Sequence, residues 1–457
     1  MRIFPLPWRA LAPCILLLSP LALLLASPAS TAQDVAPSRL RLTPTVSALQ
    51  ASPTTRDAVT GSPLSLEDAA RIAASRAPQV QASQYRISAA QQDAVRAGRL
   101  PDPMLVAGIN NLAVTGPQAL NAAADDMTMR QVGLTQEIPS YTKRQAEKKV
   151  AQADVQLADA DEVSLRLATK EAAARAWVGL WAAQQEHTLL KQLSGPDQLA
   201  IEASKARLAG GTGAATDALA ARADAEALAN QIDAADAAVD AARASLERWL
   251  GKAANQPLGD PPDFSTLRVP EAQLQSRLDQ QGPLLAWGPR QDQADAAIAL
   301  AHAGKHPNWS VSLMYGERIH RPDMIGIEFG VSLPLFPGNR QDRNLSARYA
   351  DRAAVRAQFE DARRAQREVI AQAVAGWQGW NRQVRRYRER LLPLAADRSH
   401  IALASYRGGG SLESWLEARR DEIRIRVDYA NALSAQGKAW VALAYLLPDH
   451  LAMELPQ

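Results

Sequence analysis

Apolar and polar residues alternate in two short segments in the second half of the chain. The apolar positions are Trp309, Val311, Leu313 and Tyr315 in the first segment, and Ile325, Ile327, Phe329, Val331 and Leu333 in the second. Strict alternation predicts β-strands with one apolar face. In the first half, residues 131–138 alternate in the same way, whereas residues 104–112 do so poorly. Each segment has about 9 to 11 residues, the length of a tilted membrane-spanning strand, and the alternative is a soluble hairpin on a helical core.

Between the strand segments, apolar residues recur every three or four positions over long distances. One such series is Leu228, Ile232, Ala235, Val239, Ala242, Leu246 and Trp249, a spacing typical of coiled coils. A helical rod from Lys143 to Leu208 would be roughly 100 Å long, and Pro196 and Pro393 predict a kink in each copy of the rod. Near the start, Ser65 is a plausible N-cap for a helix predicted to continue past Pro78 to about Arg99.

The whole pattern occurs twice, with an offset of 197 residues. Pro196 matches Pro393, Gly211 matches Gly408, Leu219 matches Leu416, Arg222 matches Arg419 and Leu250 matches Leu447. Each copy reads as a helix, two strands, a very long helix, a glycine turn and another long helix. The predicted fold is therefore mainly α with a small β part. The predicted division is a first repeat at 63–250, an irregular insert at 251–290, a second repeat at 291–450 and a tail at 451–457.

Residues 1–32 have the features of a secretory signal peptide, with Arg2 and Arg9 before an apolar stretch and a small-residue cleavage site. Residues 33–62, rich in Pro, Ser, Thr and Ala, are predicted to be a flexible leader. The signal peptide indicates an exported protein. The formal net charge of +3 falls to +1 without Arg2 and Arg9, so nucleic acid is not an expected partner.

Catalytic and metal-binding patterns are not found in the sequence. The only cysteine is Cys14, and of the six histidines only His302 and His306 stand four apart. Neither a nucleophile with its base nor a phosphate-binding loop accompanies them. We therefore expect no enzyme activity, no cofactor and no resident metal.

Four strands do not close a barrel in a membrane, because known membrane barrels have at least eight strands and an open edge leaves backbone groups unpaired in lipid. The chain is therefore expected to oligomerise, with strands from several copies in one barrel and the coiled-coil helices forming a tube below it.

With its duplication, the sequence resembles the TolC-like outer-membrane efflux factor family over nearly all of residues 64–447. The resemblance is carried by Ser65-Leu66-Glu67-Asp68-Ala69-Ala70, by residues 132–139 with Lys143-Arg144, by residues 330–336, and by residues 405–409 with Trp415-Leu416-Glu417-Ala418-Arg419. The segments before Lys143-Arg144 and Asn339-Arg340 are most similar to the branch that serves heavy-metal resistance-nodulation-division pumps.

The resemblance implies a homotrimer with a twelve-stranded barrel in the outer membrane and an α-helical tunnel in the periplasm. It also implies two partners, a periplasmic adaptor protein and an inner-membrane efflux pump of the resistance-nodulation-division type. The expected function is a passive export duct, with heavy-metal ions as one candidate cargo.

Site residues follow from the same resemblance. The glycine turns would form the periplasmic tip and contact the adaptor, through Arg207, Leu208, Gly210, Gly211, Arg407, Gly408, Gly409 and Leu412. Glu413, Ser414 and Glu417 would line a periplasmic gate, for which the alternative is a solvated acidic pair. Glu328 would face the barrel lumen, while Trp309 and Tyr315 would lie at the membrane interfaces or pack between protomers.

Three functions remain open from the sequence. The first is an efflux duct, for metals or for many drugs. The second is a duct for type I protein secretion, which shares the architecture. The third is a periplasmic coiled-coil protein without a pore.

Overall fold

Long helices form most of the protein, as the apolar spacing predicts. The computed structural model describes residues 63–117, 119–319 and 321–453, so the predicted signal peptide and leader lie outside the described residues. The first copy contains α1 (Leu66–Arg76), α2 (Pro78–Arg96), β1 (Met104–Asn110), β2 (Met129–Ile138), α3 (Tyr141–Lys191), α4 (Ser194–Ala209) and α5 (Ala215–Leu250). The insert contains α6 (Glu271–Ser276) and α7 (Gly282–Leu285). The second copy contains α8 (Trp287–Ala303), β3 (Trp309–Arg318), β4 (Met324–Val331), α9 (Gln341–Arg386), α10 (Leu392–Arg407) and α11 (Leu412–Ala444), and α12 (Asp449–Met453) follows.

The predicted single helix from Ser65 to Arg99 is wrong, because it is divided at Pro78. Ser65 does cap α1, and its hydroxyl accepts a hydrogen bond from the Asp68 amide at 3.0 Å. Ala77, however, has extended backbone angles of φ −61° and ψ 130°. A residue before proline disfavours the helical region, and proline suits the first position of a new helix. The chain therefore turns at Ala77 and restarts as α2.

The four strands form one antiparallel sheet in the order β1-β2-β3-β4. The two copies meet at its centre, where Leu134 of β2 pairs with Leu313 of β3 and Ile138 pairs with Trp309. Because side chains alternate between faces, the apolar residues of neighbouring strands align on one face. The edge strands β1 and β4 are unpaired on their outer sides within the described part of the chain.

Each helical rod changes geometry just before its matching proline. In the first copy, Gln192 and Leu193 separate α3 from α4. In the second copy, α9 passes into a π-helical turn, Tyr387–Leu391, and then into α10. The predicted interruptions therefore exist, but they differ in form: one is a break and the other is a widened turn within a continuous helix.

The main apolar core lies where α3, α5 and α11 meet. Trp177, Val178, Leu180, Leu246 and Val441 are fully buried there. Phe264 of the insert packs between Trp181 and Trp440, with ring centroids 5.8 and 5.5 Å apart. The insert predicted as irregular is thus a packed belt of short helical turns, and α8 begins within its predicted range, at Trp287.

Candidate functional site

Two glycine turns end the helical rods, as predicted. In the α4–α5 turn Gly211 has φ +69°, and in the α10–α11 turn Gly409 has φ +102°. These angles lie in the region that glycine alone adopts readily. The amides of Gly213 and Gly410 donate to the carbonyls of Arg207 and Ser405 at 3.0 and 2.9 Å, which closes each turn.

Arg207 joins the two turns to each other. Its guanidinium lies 5.0 Å from the centre of the Tyr406 ring. The same group donates to the carbonyls of Tyr406 and Gly410, both at 3.4 Å. The guanidinium of Arg207 thus binds the neighbouring turn of the same chain, and its expected contact with the adaptor stays a prediction.

Burial contradicts the expected adaptor-facing position of Leu412. Leu412 is only 4% exposed and packs in a cluster with Tyr406, Trp415 and Leu416. Its apolar side chain begins α11 and turns toward the neighbouring hairpin. By contrast, Leu208 is 41% exposed, and Arg407 and the glycines 210, 211, 408 and 409 are exposed as well. These remain the candidates for contact with another protein.

The three predicted gate residues lie together on the exposed face of α11. Glu413, Ser414 and Glu417 are all exposed. Sequence reasoning missed a cation beside them, since a guanidinium nitrogen of Arg420 lies 3.9 Å from a Glu413 carboxylate oxygen. The Arg420 guanidinium also donates to both oxygens of Asp224 at 3.1 and 3.0 Å. The Asp224 hydrogen bond, with smaller contributions from Glu413 and Glu417, raises the pKa of Arg420. The negative charge of Glu413 and Glu417 is thus partly neutralised by Arg420 of the same chain.

A buried ionic network behind this face was not predicted. The side chain of Arg419, 5% exposed, donates to Asp197 at 3.1 Å and to Glu422 at 3.0 Å. It also donates to the carbonyl of Leu193, in the break between α3 and α4. The 197-residue repeat aligned Arg419 with Arg222, but nothing in the sequence indicated that one arginine is buried and the other exposed.

The pKa values of the two carboxylates in this network are shifted in opposite directions. Burial raises the pKa of Asp197, and the charge of Arg419 offsets this only in part. Burial also acts to raise the pKa of Glu422, but hydrogen bonds from Arg426 and Ser399 and the nearby arginine charges hold it below its usual value. Arg419 therefore links the helix break of the first copy to α11 of the second.

The sheet presents its apolar face to the outside of the single chain. Ile325, Ile327 and Phe329 are 72%, 63% and 70% exposed, and Trp309 and Tyr315 are 51% and 44% exposed. Glu328 lies on the other face of the sheet and pairs with Ser312 of β3. On that face the hydroxyls of Thr135 and Ser312 are 3.0 Å apart. The Tyr315 hydroxyl is hydrogen-bonded to Asp323 near one end of the strands.

Metal-binding geometry does not occur at the tip or elsewhere in residues 63–117, 119–319 and 321–453, where no group of three or more His, Cys, Asp or Glu side chains is placed to hold an ion. The rings of His302 and His306 are 6.2 Å apart between centroids. Among the described helices, none carries an apolar stretch that would cross a lipid bilayer.

Residues 69–252 match the model of a family described as outer membrane efflux protein. This is the family that the sequence resembles. The match confirms the resemblance, the location in the outer membrane and the general role of an outer-membrane efflux channel component. No curated protein matches the sequence significantly.

Solved structures match the fold over both copies. A membrane protein from Pseudomonas aeruginosa aligns with TM-score 0.71 and 19% identity, covering 84% of this chain and 90% of that one. The outer membrane protein VceC from Vibrio cholerae aligns with TM-score 0.66 and 19% identity, covering 83% and 94%. CusC, described as forming a transmembrane channel, aligns with TM-score 0.69 and 16% identity, covering 84% and 92%. At these identities the likeness establishes the fold, which is the predicted combination of helical hairpins and a four-stranded sheet.

Proposed function

We propose that the protein is a passive trimeric duct that carries cargo through the outer membrane and the periplasm. In this proposal, each copy contributes four strands to one barrel, and the long helices of three copies form a tunnel below it. The observation that carries the proposal is the sheet, which has two open edges and an exposed apolar face. One copy leaves backbone groups unpaired at β1 and β4, whereas twelve strands from three copies satisfy them.

The two faces of the sheet suit lipid on one side and water on the other. Ile325, Ile327 and Phe329 would face lipid, with Trp309 and Tyr315 near the two membrane surfaces. The polar face, with Glu328, Thr135 and Ser312, would line the lumen. A barrel with this distribution conducts water-soluble cargo without a binding pocket.

The helices supply the length that a periplasmic tunnel needs. α3 has 51 residues and α9 has 46, so they are about 77 and 69 Å long at 1.5 Å per residue. In this proposal a periplasmic adaptor meets the tip around Leu208, Arg407 and the glycine turns. An inner-membrane pump of the resistance-nodulation-division type supplies the energy. Glu413, Ser414 and Glu417 narrow the entrance at the tip.

The test is to purify the protein in detergent, measure its native mass and record its conductance in planar bilayers. A mass of three copies and stable open channels support the duct, whereas a monomer without conductance contradicts it and favours a coiled-coil protein without a pore. A matched pair of variants tests the orientation of the sheet. Ile327→Asp places a charge on the apolar face and is expected to block membrane insertion, whereas Ser312→Asp places the same charge on the polar face and is expected to be tolerated.

The cargo is tested separately, with a deletion strain grown on heavy-metal ions, dyes, detergents and antibiotics. We include heavy-metal ions as the candidate cargo because the segments before Lys143-Arg144 and Asn339-Arg340 resemble the metal-exporting branch. Sensitivity confined to metals supports that cargo, and broad sensitivity identifies a multidrug duct instead. Loss of a secreted protein with normal growth on the whole panel would indicate type I secretion.

A further inference from the structure

Two helical faces have no packing partner among residues 63–117, 119–319 and 321–453. α5 packs mainly on α3 and α4, with smaller contacts to α1 and α11, whereas α9 packs mainly on α8 and α11, with smaller contacts to α6 and α7. The outward face of α5 is therefore one edge of the helical layer. The other edge is the outward face of α10 and of the end of α9 nearest the tip, here called lower α9, from Arg382 onward. Both faces carry charge, and the two charges have opposite signs.

The outward face of α5 is acidic in a regular pattern. Glu226, Asp233, Asp240 and Glu247 recur every seven residues and all are exposed. Asp233 is two residues from the buried Ala235, and hence about 200° around the helix from the packed face. In the part of the chain that the structure describes, none of the four carboxylates has a hydrogen-bonded or ionic partner. Such a stripe is stable as a solvated face or as one half of an interface.

The outward face of lower α9 and its π-helical turn is basic. Residues 382–390 contain five arginines and one glutamate. Arg382, Arg386 and Arg390 recur every four residues and are exposed. Within residues 63–117, 119–319 and 321–453 these three guanidiniums form no hydrogen bond or ion pair. Five arginines this close to each other repel unless anions lie nearby.

The two faces match in height above the tip. Arg207 binds the Tyr406 and Gly410 carbonyls, so the two glycine turns lie side by side. Asp240 is 28 residues beyond Thr212, and Arg382 is 27 residues before Gly409. Asp233 is 21 residues beyond Thr212. Arg390 and Arg386 are 19 and 23 residues before Gly409, so Asp233 lies at a level between them. At 1.5 Å per residue, the acidic and basic groups stand within about 3 Å of the same level.

An apolar pair near the tip follows the same register. Leu219 continues the seven-residue stripe of α5 and is 68% exposed, while Ile401 of α10 is 69% exposed. Leu219 is seven residues beyond Thr212, and Ile401 is eight residues before Gly409. Uncovered leucine and isoleucine side chains at one level favour contact with each other.

We propose that the acidic face of α5 in one copy docks on the basic face of α9 and α10 in a second copy of this chain. The proposal rests on the trimeric duct proposed above and names the surface that closes its helical tunnel. The two faces lie on different helices of the protomer, so the contact is head-to-tail, and a head-to-tail contact closes into a ring when the rotation fits. Asp233 and Asp240 then face Arg382, Arg386 and Arg390, and Leu219 faces Ile401.

Charge reversal tests the electrostatic half of this interface. Asp233→Lys/Asp240→Lys, and separately Arg382→Glu/Arg386→Glu, should each lower the fraction of trimer about tenfold in detergent at low salt, and their combination should restore it. Glu226→Lys/Glu247→Lys is the matched control. It reverses the same number of charges on the same stripe, at levels where residues 393–397 and 372–376 of the facing helices contain no arginine, so the trimer should persist.

Cysteine cross-linking tests the register. The only native cysteine is Cys14, which lies in the predicted signal peptide. Leu219→Cys/Ile401→Cys should give covalent dimers and trimers under copper-phenanthroline oxidation. Leu219→Cys/Leu394→Cys moves one thiol seven residues, about 10 Å, along the helix, beyond the reach of a disulfide, and should stay monomeric on a denaturing gel.

The outcomes separate the two proposals. If the parent is monomeric and does not conduct, the duct proposal fails. If the parent is a conducting trimer whose reversal variants keep the parent's trimer fraction, or whose Leu219/Ile401 cysteines give no linked species, the interface is overturned and the duct stands. In that case the acidic stripe is a solvated face.

Discussion

The two helical hairpins have the same plan but different interiors. In the first copy the rod breaks at Gln192 and Leu193, whereas in the second it continues through a π-helical turn. Arg222 of the first copy is exposed, whereas its counterpart Arg419 is buried. Asp197 is buried, whereas its counterpart Leu394 is 64% exposed. The duplication therefore preserves lengths and turns, and the buried contacts depend on residues present in one copy only.

Arg419 provides the sharpest test of that difference. Arg419→Met leaves Asp197 buried without its cation, leaves Glu422 with Arg426 as its remaining cation, and removes the hydrogen bond to the Leu193 carbonyl. We expect a loss of about 3–5 kcal/mol in the free energy of unfolding. Arg222→Met should change the same quantity by less than about 0.5 kcal/mol. Urea unfolding of the detergent-solubilised protein measures both, and equal effects at the two positions would contradict the burial difference.

Two leucines near the tip test a second difference between the hairpins, since Leu412 is buried and Leu208 is exposed. Leu412→Ala removes a buried side chain that packs on Tyr406 and Trp415, and should cost about 2–4 kcal/mol. Leu208→Ala alters an exposed residue and should leave the unfolding midpoint unchanged. In pull-down assays with the cognate adaptor, Leu208→Ala should weaken binding. A stability loss at Leu208 with none at Leu412 would reverse their assignment.

The two turns differ in how strongly they require glycine. Gly409 has φ +102° and Gly211 has φ +69°. The second value is close to the left-handed helical region that asparagine tolerates, and the first is outside it. We expect Gly409→Asn to cost about 1–2 kcal/mol more than Gly211→Asn. Limited proteolysis at the tip and urea unfolding check this, and equal tolerance of asparagine would contradict it.

The sequence predicted what depends on local spacing. Seven-residue recurrence gave the rods, alternation gave strands β2 to β4, and glycine gave the two turns, because each pattern acts over a few neighbouring residues. The break between α1 and α2 is also local, and Pro78 was its signal. Burial of Arg419 and Leu412 was not predictable, because it depends on Asp197 and Tyr406, which lie far away in the chain or on another helix. The same holds for Arg207, whose hydrogen-bond acceptors are in the other copy.

The acidic pair at the proposed gate occurs in the second copy only. The counterparts of Glu413 and Glu417 are Thr216 and Ala220. Three copies of the pair around one axis would repel, and Arg420 offsets part of that repulsion. We expect Glu417→Ala to raise single-channel conductance and lower cation preference in planar bilayers, with Ala220→Ser at the counterpart position of the first copy as the control. Conductance and ion preference identical to the parent would remove Glu417 from the gate.

The pH dependence of the buried network is the smallest expected effect. The pKa of Glu422 lies below its usual value of 4.5, so its contribution to stability is complete above that value and is lost as the pH falls through the lowered pKa. Burial raises the pKa of Asp197 above 3.8, so Asp197 acts in the opposite direction and favours the folded state on acidification. Glu422→Gln should therefore flatten the fall in unfolding free energy below about pH 4.5, and Asp197→Asn should steepen it. If the free energy of unfolding depends on pH in the same way in both variants, the two opposite pKa shifts are contradicted, and the two carboxylates titrate together with Arg419.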